Sequence, residues 1–215
     1  MSNKTTFTTL LLLTAIAIDL TYCYSALEDS RLISEYRKQL RDTSKYAKVA
    51  RTLVHDADWA SVGTISTDNN TLDYPTVNVI STDDNDINGK STGRIHFLLT
   101  DLDFTGKDWK HDNKVSFLYT ENQTGKCKAR GIDPMEPTCA RTLITGKVVE
   151  MDKNSNEYVN ALTAFKQRHP SATKWMKTHT FYICELNIQN IYVLNFYGGP
   201  HNVPVEAYYS AVLNY

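Results

Sequence analysis

The segment Asp103–Trp109, DFTGKDW, contains residue types that can bind an anion. Thr105 offers a hydroxyl group, Gly106 an unhindered backbone N–H and Lys107 an ammonium group. At the start of a short helix, such donors would converge on a phosphate or a carboxylate. Two aspartates flank them with opposing charge, and an ordinary helical turn with a surface lysine would have the same sequence. The sequence favours this second interpretation.

A pair of glycines in NFYGGP, at 195–200, could bring the backbone close to a phosphate. The pair has no helix-opening GxGxxG context, so it lacks the signature of a phosphate-binding loop. Gly198 and Gly199 instead predict a tight corner with positive φ angles, and Pro200 fixes its exit. We expect three tyrosines to fold back onto the domain here: Tyr197, Tyr208 and Tyr209.

Other catalytic and metal-binding patterns are absent from the sequence. The six histidines have no HxxH or HxxxH spacing, so no metal site is predicted, although one assembled from distant residues stays open. No GxSxG motif offers a serine nucleophile. GKS at 89–91 is not a P-loop, because Asp84 stands where the first glycine belongs, and it predicts an exposed loop. We therefore expect no catalytic residues.

The cysteines predict one disulfide. Cys127 and Cys139 bracket CKARGIDPMEPTC, a segment rich in turn residues, and in a secreted chain such a bracket is typical of a disulfide. A metal or redox pair is the alternative, but the spacing is far from CxxC. Cys184 alternates within an apolar strand pattern, which favours a buried free thiol.

The first residues have the three-part pattern of a secretory signal peptide. A weakly positive start precedes the apolar run 10–18, and small residues follow before a cut at Ala26. The run is too short for a membrane span, which needs about 20 apolar residues. Residues 1–25 are the expected signal peptide. Behind it, the sequons at Asn69 and Asn122 predict two glycans.

The charge of the chain argues against a nucleic-acid-binding groove. The formal net charge is −1, and without residues 1–25 it is 22 − 23 = −1. No basic block is present that could neutralise a row of phosphates.

Hydrophobic spacing predicts an α+β domain with an antiparallel sheet. Six or seven strand-like runs are rich in β-branched and aromatic residues, with helices before, among and after them, and few strand–helix–strand alternations occur. Such a sheet would be closed, or nearly closed, to hide its edges. We expect a helical arm at 26–44, a second helix that starts after it with a polar cap, and a barrel domain at 45–215.

Several segments resemble the CREG family of secreted cellular-repressor glycoproteins. The resemblance covers roughly Lys45–Tyr209 and is most specific in the double-cysteine loop and in FYGGP…EAYY. The segments agree in order and spacing: ARTLVHDADWASVGTIST, HFLLTDLDFTGKDWKHDNKVSFLYT, CKARGIDPMEPTCARTLITGKVVEM, FKQRHPSATKW and NIYVLNFYGGPHNVPVEAYY.

The resemblance implies an antiparallel split β-barrel of about six strands, of the FMN-binding type, that forms a homodimer. It implies a secreted or endolysosomal glycoprotein, without flavin mononucleotide (FMN), that acts by binding in growth restraint and differentiation. It also implies binding to the cation-independent mannose-6-phosphate receptor through glycans. The alternatives are an FMN- or haem-dependent oxidoreductase and, more distantly, a transcriptional co-repressor.

The resemblance also identifies candidates for a relic cofactor site. In flavin-binding relatives, basic and hydroxyl side chains around the segment that aligns with DFTGKDW hold the phosphate. Thr105 and Lys107 are the matching residues, and Phe104 stands where many of those relatives have a histidine. Arg51 and Arg141 are the arginines that could converge on this segment from barrel strands.

Overall fold

The computed structural model describes residues 3–213, with side chains from Glu28 onward except that of Asp29. The predicted signal peptide therefore falls outside the described side chains. The chain divides into two compact units, up to Asp42 and from Thr43 onward, and helix α1, Asn3–Asp56, contributes to both. In the described part of the chain, no helix is long and apolar enough to cross a membrane.

The second unit is a six-stranded antiparallel β-barrel with one additional short strand. The sheet order is β3-β2-β1-β4-β5-β6-β7, and a further pairing of β3 with β6 closes the barrel. The strands are β1 Trp59–Ile65, β2 Pro75–Asn85, β3 Ser91–Leu99, β4 Lys114–Thr120, β5 Arg141–Glu150, β6 Tyr182–Leu194 and β7 His201–Asn202.

Four further helices occupy connections between the strands, and a fifth follows the last strand. They are α2 Phe104–His111, α3 Lys126–Ala129, α4 Asn156–Arg168, α5 Ala172–Thr178 and α6 Val205–Ser210. Helix α4 begins where the Ser155 hydroxyl accepts a hydrogen bond from the Tyr158 N–H, at 3.0 Å. It ends at Arg168, because the residue before Pro170 is sterically disfavoured in a helix.

The barrel interior follows the alternation of the strands. In β4, Val115, Phe117 and Tyr119 are buried while the residues between them face outward. From Thr43 onward, α1 adds an apolar face to this core: Ala47, Ala50, Leu53 and Val54. A second cluster, which includes Leu98, Phe165 and Ile183, lies where α4 and α5 pack on the outside of β3 and β6.

Two expectations about strands and helices differ from the structure. The hydrophobic pattern predicts two separate strands at FYICELNI, 181–188, and NIYVLNFY, 190–197. They form a single strand, β6, because a bulge opposite Thr145/Gly146 lets the long strand stay paired with β5. No second helix starts after Asp42, since α1 continues and a polar residue caps only a helix that begins there.

The corner at 195–200 is partly as expected. Gly198 and Gly199 have φ angles of 112° and 94°, which confirms the predicted backbone. Tyr208 is buried, but the expectation for Tyr197 is wrong, because its side chain is 63% exposed and packs edge-on against exposed Phe196.

Candidate functional site

Helix α2, which carries the DFTGKDW segment, closes one end of the barrel. Asp108 is buried, and its carboxylate accepts hydrogen bonds from the Thr64 hydroxyl at 2.8 Å and from the Thr67 N–H at 2.8 Å. The Thr67 hydroxyl donates to the same carboxylate at 2.9 Å. Asp108 is therefore a buried anchor of α2 and not a surface charge beside Lys107.

The start of α2 is fixed by Asn78 of β2. The Asn78 side-chain amide donates to Asp103 Oδ2 at 2.6 Å and to Thr105 Oγ1 at 3.0 Å. Thr105 is buried, so its hydroxyl is used within the barrel end. Gly106 lies so close to Thr100 that an added Cβ would be 1.9 Å from the Thr100 carbonyl oxygen.

The relic candidates do not form one site. Lys107 is exposed on α2. The Arg51 guanidinium is buried and donates to the carbonyls of Tyr208 and Tyr209, at 3.2 and 3.1 Å. The Arg141 guanidinium donates to two carbonyls of the disulfide loop, those of Pro134 and Met135. Both arginines are thus engaged by main chain outside α2.

A cleft of about 540 Å³ lies on the outer face of the barrel, next to the end of α2. One cross-strand row forms its floor, and three of its members are small: Val77, Gly63, Ser116, Thr145 and Asn190. The buried side of its wall includes Thr64, whose hydroxyl bonds Asp108. The cleft therefore shares residues with the seat of α2.

A second cross-strand row, which we call the apolar row, lies beside the floor of the cleft. Its members are consecutive partners across five strands: Val79, Ser61, Leu118, Leu143 and Tyr192. All of its apolar side chains are exposed, and Val77 of the neighbouring row is 67% exposed. The outer face of the barrel thus presents a continuous apolar strip. Sequence reasoning missed it, because the alternation VNV in β2 predicts that both valines lie inside the barrel.

The residues of the cleft do not fit a flavin phosphate or a haem iron. Among its lining residues in the described chain, the only charged groups are Asp112 and Lys114, and these pair with each other at 3.5 Å. A phosphate with nearly two negative charges usually needs several converging donors, often including an arginine. The lining contains no His, Cys, Met or Tyr that could ligate haem iron.

The covalent predictions for cysteine agree with the structure. Cys127 and Cys139 form a disulfide with a Cα–Cα distance of 5.6 Å, and Cys184 is free and buried. Burial raises the pKa of the Cys184 thiol. The described residues hold no group of three or more His, Cys, Asp or Glu placed to bind a metal ion.

The two sequons lie at opposite ends of β1. Asn69 is exposed in the turn that follows β1. Asn122 is partly exposed in the 3₁₀ turn Glu121–Thr124, and the neighbouring Gln123 side chain donates to the Trp59 carbonyl at the start of β1.

Comparisons with known proteins agree with the barrel. Residues 41–210 match the family model described as CREG, beta-barrel. The chain belongs to the CREG family. Protein CREG1 of Homo sapiens is 32% identical over 167 residues, which cover 78% of this chain and 74% of that protein.

The CREG barrel is also similar in fold to solved structures of other families. A haem-binding protein from Mycobacterium smegmatis has a TM-score of 0.59 and 18% identity, over 77% of this chain and 60% of that one. A pyridoxinephosphate oxidase family protein from Clostridium acetobutylicum has a TM-score of 0.50 and 10% identity, over 76% and 96%. These likenesses confirm the predicted split-barrel fold of this CREG chain.

Proposed function

We propose that this CREG-family chain is a secreted or endolysosomal glycoprotein that acts by binding, in growth restraint and differentiation signalling. The observation that carries the proposal is the outer face of the barrel, where an exposed apolar row borders a cleft without a suitable phosphate or haem ligand set. Such a face is suited to a protein contact and not to catalysis.

Within this proposal, the outer face of the barrel forms a homodimer with a second copy of the chain. The apolar row runs across five strands, and a two-fold axis would place the row of one subunit against that of its partner. Light scattering should give twice the monomer mass. Leu118→Glu should reduce it to the monomer mass, because a carboxylate would be buried unpaired. Val159→Glu, at an exposed position on α4, is the matched control. A wild-type monomer would remove the dimer from the proposal.

The cofactor part of the proposal is that the chain binds no FMN. The Thr105 hydroxyl is buried at the barrel end, and the Arg51 and Arg141 guanidiniums donate to main-chain carbonyls elsewhere. Of the relic candidates, only Lys107 is left as an exposed cation on α2. The purified protein should be colourless, and titration should not quench FMN fluorescence. Micromolar binding that is lost in Lys107→Ala but kept in Lys153→Ala would favour an oxidoreductase.

The secretory part of the proposal rests on the sequence of residues 1–25 and on the sequons. The mature chain should start near Ala26 and carry glycans on Asn69 and Asn122, and these glycans would be the ligands of the cation-independent mannose-6-phosphate receptor. Intact mass before and after glycosidase treatment tests this. A retained Met1 or an unshifted mass would contradict it and would favour an intracellular role such as transcriptional co-repression.

An oxidoreductase remains the second candidate function because the Mycobacterium smegmatis structure of similar fold is a haem-binding protein. The visible spectrum of protein purified from a secreting host distinguishes the two functions. A Soret band or a flavin band that survives gel filtration would favour the oxidoreductase over the binding protein.

A further inference from the structure

A row of three ionisable residues lies on the outside of the barrel, on the side covered by α4. His96 of β3 pairs in register with Asp83 of β2 and with Glu185 of β6. Strand alternation places these three side chains on one face, opposite to the core residues Ile95 and Phe97. This row is separate from the cleft and from the apolar row.

His96 is the member of this row without a partner. It is 5% exposed, and neither Nδ1 nor Nε2 has a hydrogen-bond partner among the described residues. The Oδ1 atom of Asn85 is also buried and unpaired, while its amide nitrogen donates to Asp83 at 2.7 Å. Buried polar atoms are nearly always hydrogen-bonded, so these three atoms require a partner that the described residues do not supply.

A cavity of about 190 Å³ is lined by the two residues that carry these unpaired atoms, Asn85 and His96. It has room for roughly six water molecules, or for a small organic molecule of the same volume. Its walls come from the end of β2 and the following loop, from β3 and from α4: Asn85, Asp86, Ile87, Thr92, Arg94, His96, Glu157, Asn160 and Ala161.

The charges around the cavity favour a cation. Arg94 is its only basic lining residue, and the guanidinium is already paired with Glu185, through contacts of 2.7 and 2.5 Å. Two carboxylates, Asp86 and Glu157, remain in the lining. The backbone N–H groups of Lys90 and Asn88 lower the pKa of Asp86, which keeps this group ionised. An anion would therefore meet net negative charge.

We propose that this cavity binds a small primary ammonium ion. An ammonium group has three N–H donors and no acceptor. The residues of the cavity wall carry three acceptors of matching kind: one ring nitrogen of His96, Oδ1 of Asn85 and the carboxylate of Glu157. Ile87 and Ala161 supply apolar wall for a short alkyl chain.

The ionisation of His96 is compatible with this role. Burial lowers its pKa to about 4, so the ring is neutral and keeps one nitrogen as an acceptor at neutral and mildly acidic pH. The charged groups that face it are Arg94 from β3 itself, Glu185 from β6, Asp83 and Asp84 from β2, and Glu157 from α4.

The test is an NMR titration of the full mature protein with three probes of one size: n-butylammonium, butyramide and butyrate. We expect saturable shifts with n-butylammonium at the Asn85 side-chain amide and the His96 ring nitrogens, weaker shifts with butyramide and none with butyrate. Glu157→Gln should lower the affinity for n-butylammonium about five- to tenfold, since a charge-assisted hydrogen bond is lost.

Controls separate binding from folding. Glu157 is exposed, so its substitution should leave the fold intact, and Glu206→Gln at an exposed position on α6 is the matched control. His96→Phe should abolish amine binding while it keeps an aromatic ring in place. Three results would each overturn the proposal. They are equal binding of butyrate, an unchanged affinity for n-butylammonium in Glu157→Gln, and shifts that never saturate, which are expected if the cavity holds only water.

Discussion

The guanidinium of Arg51 lies 5.4 Å from the ring centroid of Tyr208 and donates to the Tyr208 carbonyl at 3.2 Å. The same side chain donates to the Ser91 carbonyl and hydroxyl, at 3.1 and 2.7 Å, and it is 3% exposed. Arg51 thus ties α1 to the start of β3 and to α6. An arginine that sequence reasoning assigned to a relic phosphate site has a structural role instead.

The first prediction follows from this role. Arg51→Lys should lower the free energy of unfolding by about 2–4 kcal/mol, because a lysine cannot reach carbonyls on two elements and each buried acceptor left unpaired costs about 1–3 kcal/mol. Urea denaturation measures the change. Arg141→Lys, whose partners lie in an exposed loop, is the control and should cost less than about 1 kcal/mol. Equal losses in the two variants would contradict the assignment.

The second prediction concerns the close approach of α2 to the loop after β3. Gly106→Ala should destabilise the domain by about 3 kcal/mol or more, since a Cβ would overlap the Thr100 carbonyl and α2 would have to move. Gly63→Ala provides the contrast, because a Cβ there meets only ordinary contacts of 3.8 Å and beyond. Its effect on thermal unfolding should stay within about 0.5 kcal/mol. A tolerated Gly106→Ala would show that α2 is not seated as described.

The third prediction concerns the disulfide loop. Cys127→Ser should lower the free energy of unfolding by about 2–5 kcal/mol, the usual loss for a native disulfide in a small secreted domain. Cys184→Ser, which removes no bridge, is the comparison. Peptide mapping without reductant should recover only the Cys127–Cys139 pair. Recovery of Cys184 in a mixed pair would be inconsistent with the structure.

The fourth prediction concerns acid stability. In the unfolded chain, His96 has its ordinary pKa of 6.5 and binds a proton below that pH. In the folded protein, burial lowers the pKa of His96 to about 4. The unfolded state therefore binds more protons in this window, and stability must fall as the pH is lowered. His96 should account for a loss of about 3 kcal/mol between neutral pH and pH 4.

His96→Phe should remove this part of the pH dependence, and His111→Phe, at an exposed position, is the control. Burial raises the pKa of Asp83, so the contribution of Asp83 to stability increases as the pH falls. This opposite contribution is present in both variants. Urea unfolding at several pH values gives the slopes. Identical slopes in His96→Phe and the wild type would show that His96 is solvated.

The barrel could be predicted from the sequence because, in most strands, every second residue is apolar and faces the core. β2 is the exception at its start. Val77 and Val79 face outward, while Asn78 turns toward the barrel end and bonds Asp103 and Thr105. Apolar alternation alone would have placed the valines inside. This reversed orientation of β2 depends on polar partners at the start of α2, which lie 25 or more residues away from Asn78 in the sequence.

The candidate site was harder to predict for the same reason. The residue types in DFTGKDW were compatible with an anion-binding site. Only the tertiary contacts show that Thr105 and Asp108 form hydrogen bonds inside the domain. Likewise, nothing near His96 in sequence indicates that its two nitrogens lack partners, because one wall of the cavity beside it comes from α4, which begins at Asn156.

The β3–β6 pairing has a consequence for biosynthesis. It joins Phe97 to Cys184, so the barrel cannot close until nearly the whole chain has been synthesised. Until then β3 is an unpaired edge beside β2, open to pairing with another chain. Closure of so distant a contact is slow, and domains fold as the chain emerges amino-terminus first. The nascent chain should therefore depend on chaperones until β6 arrives.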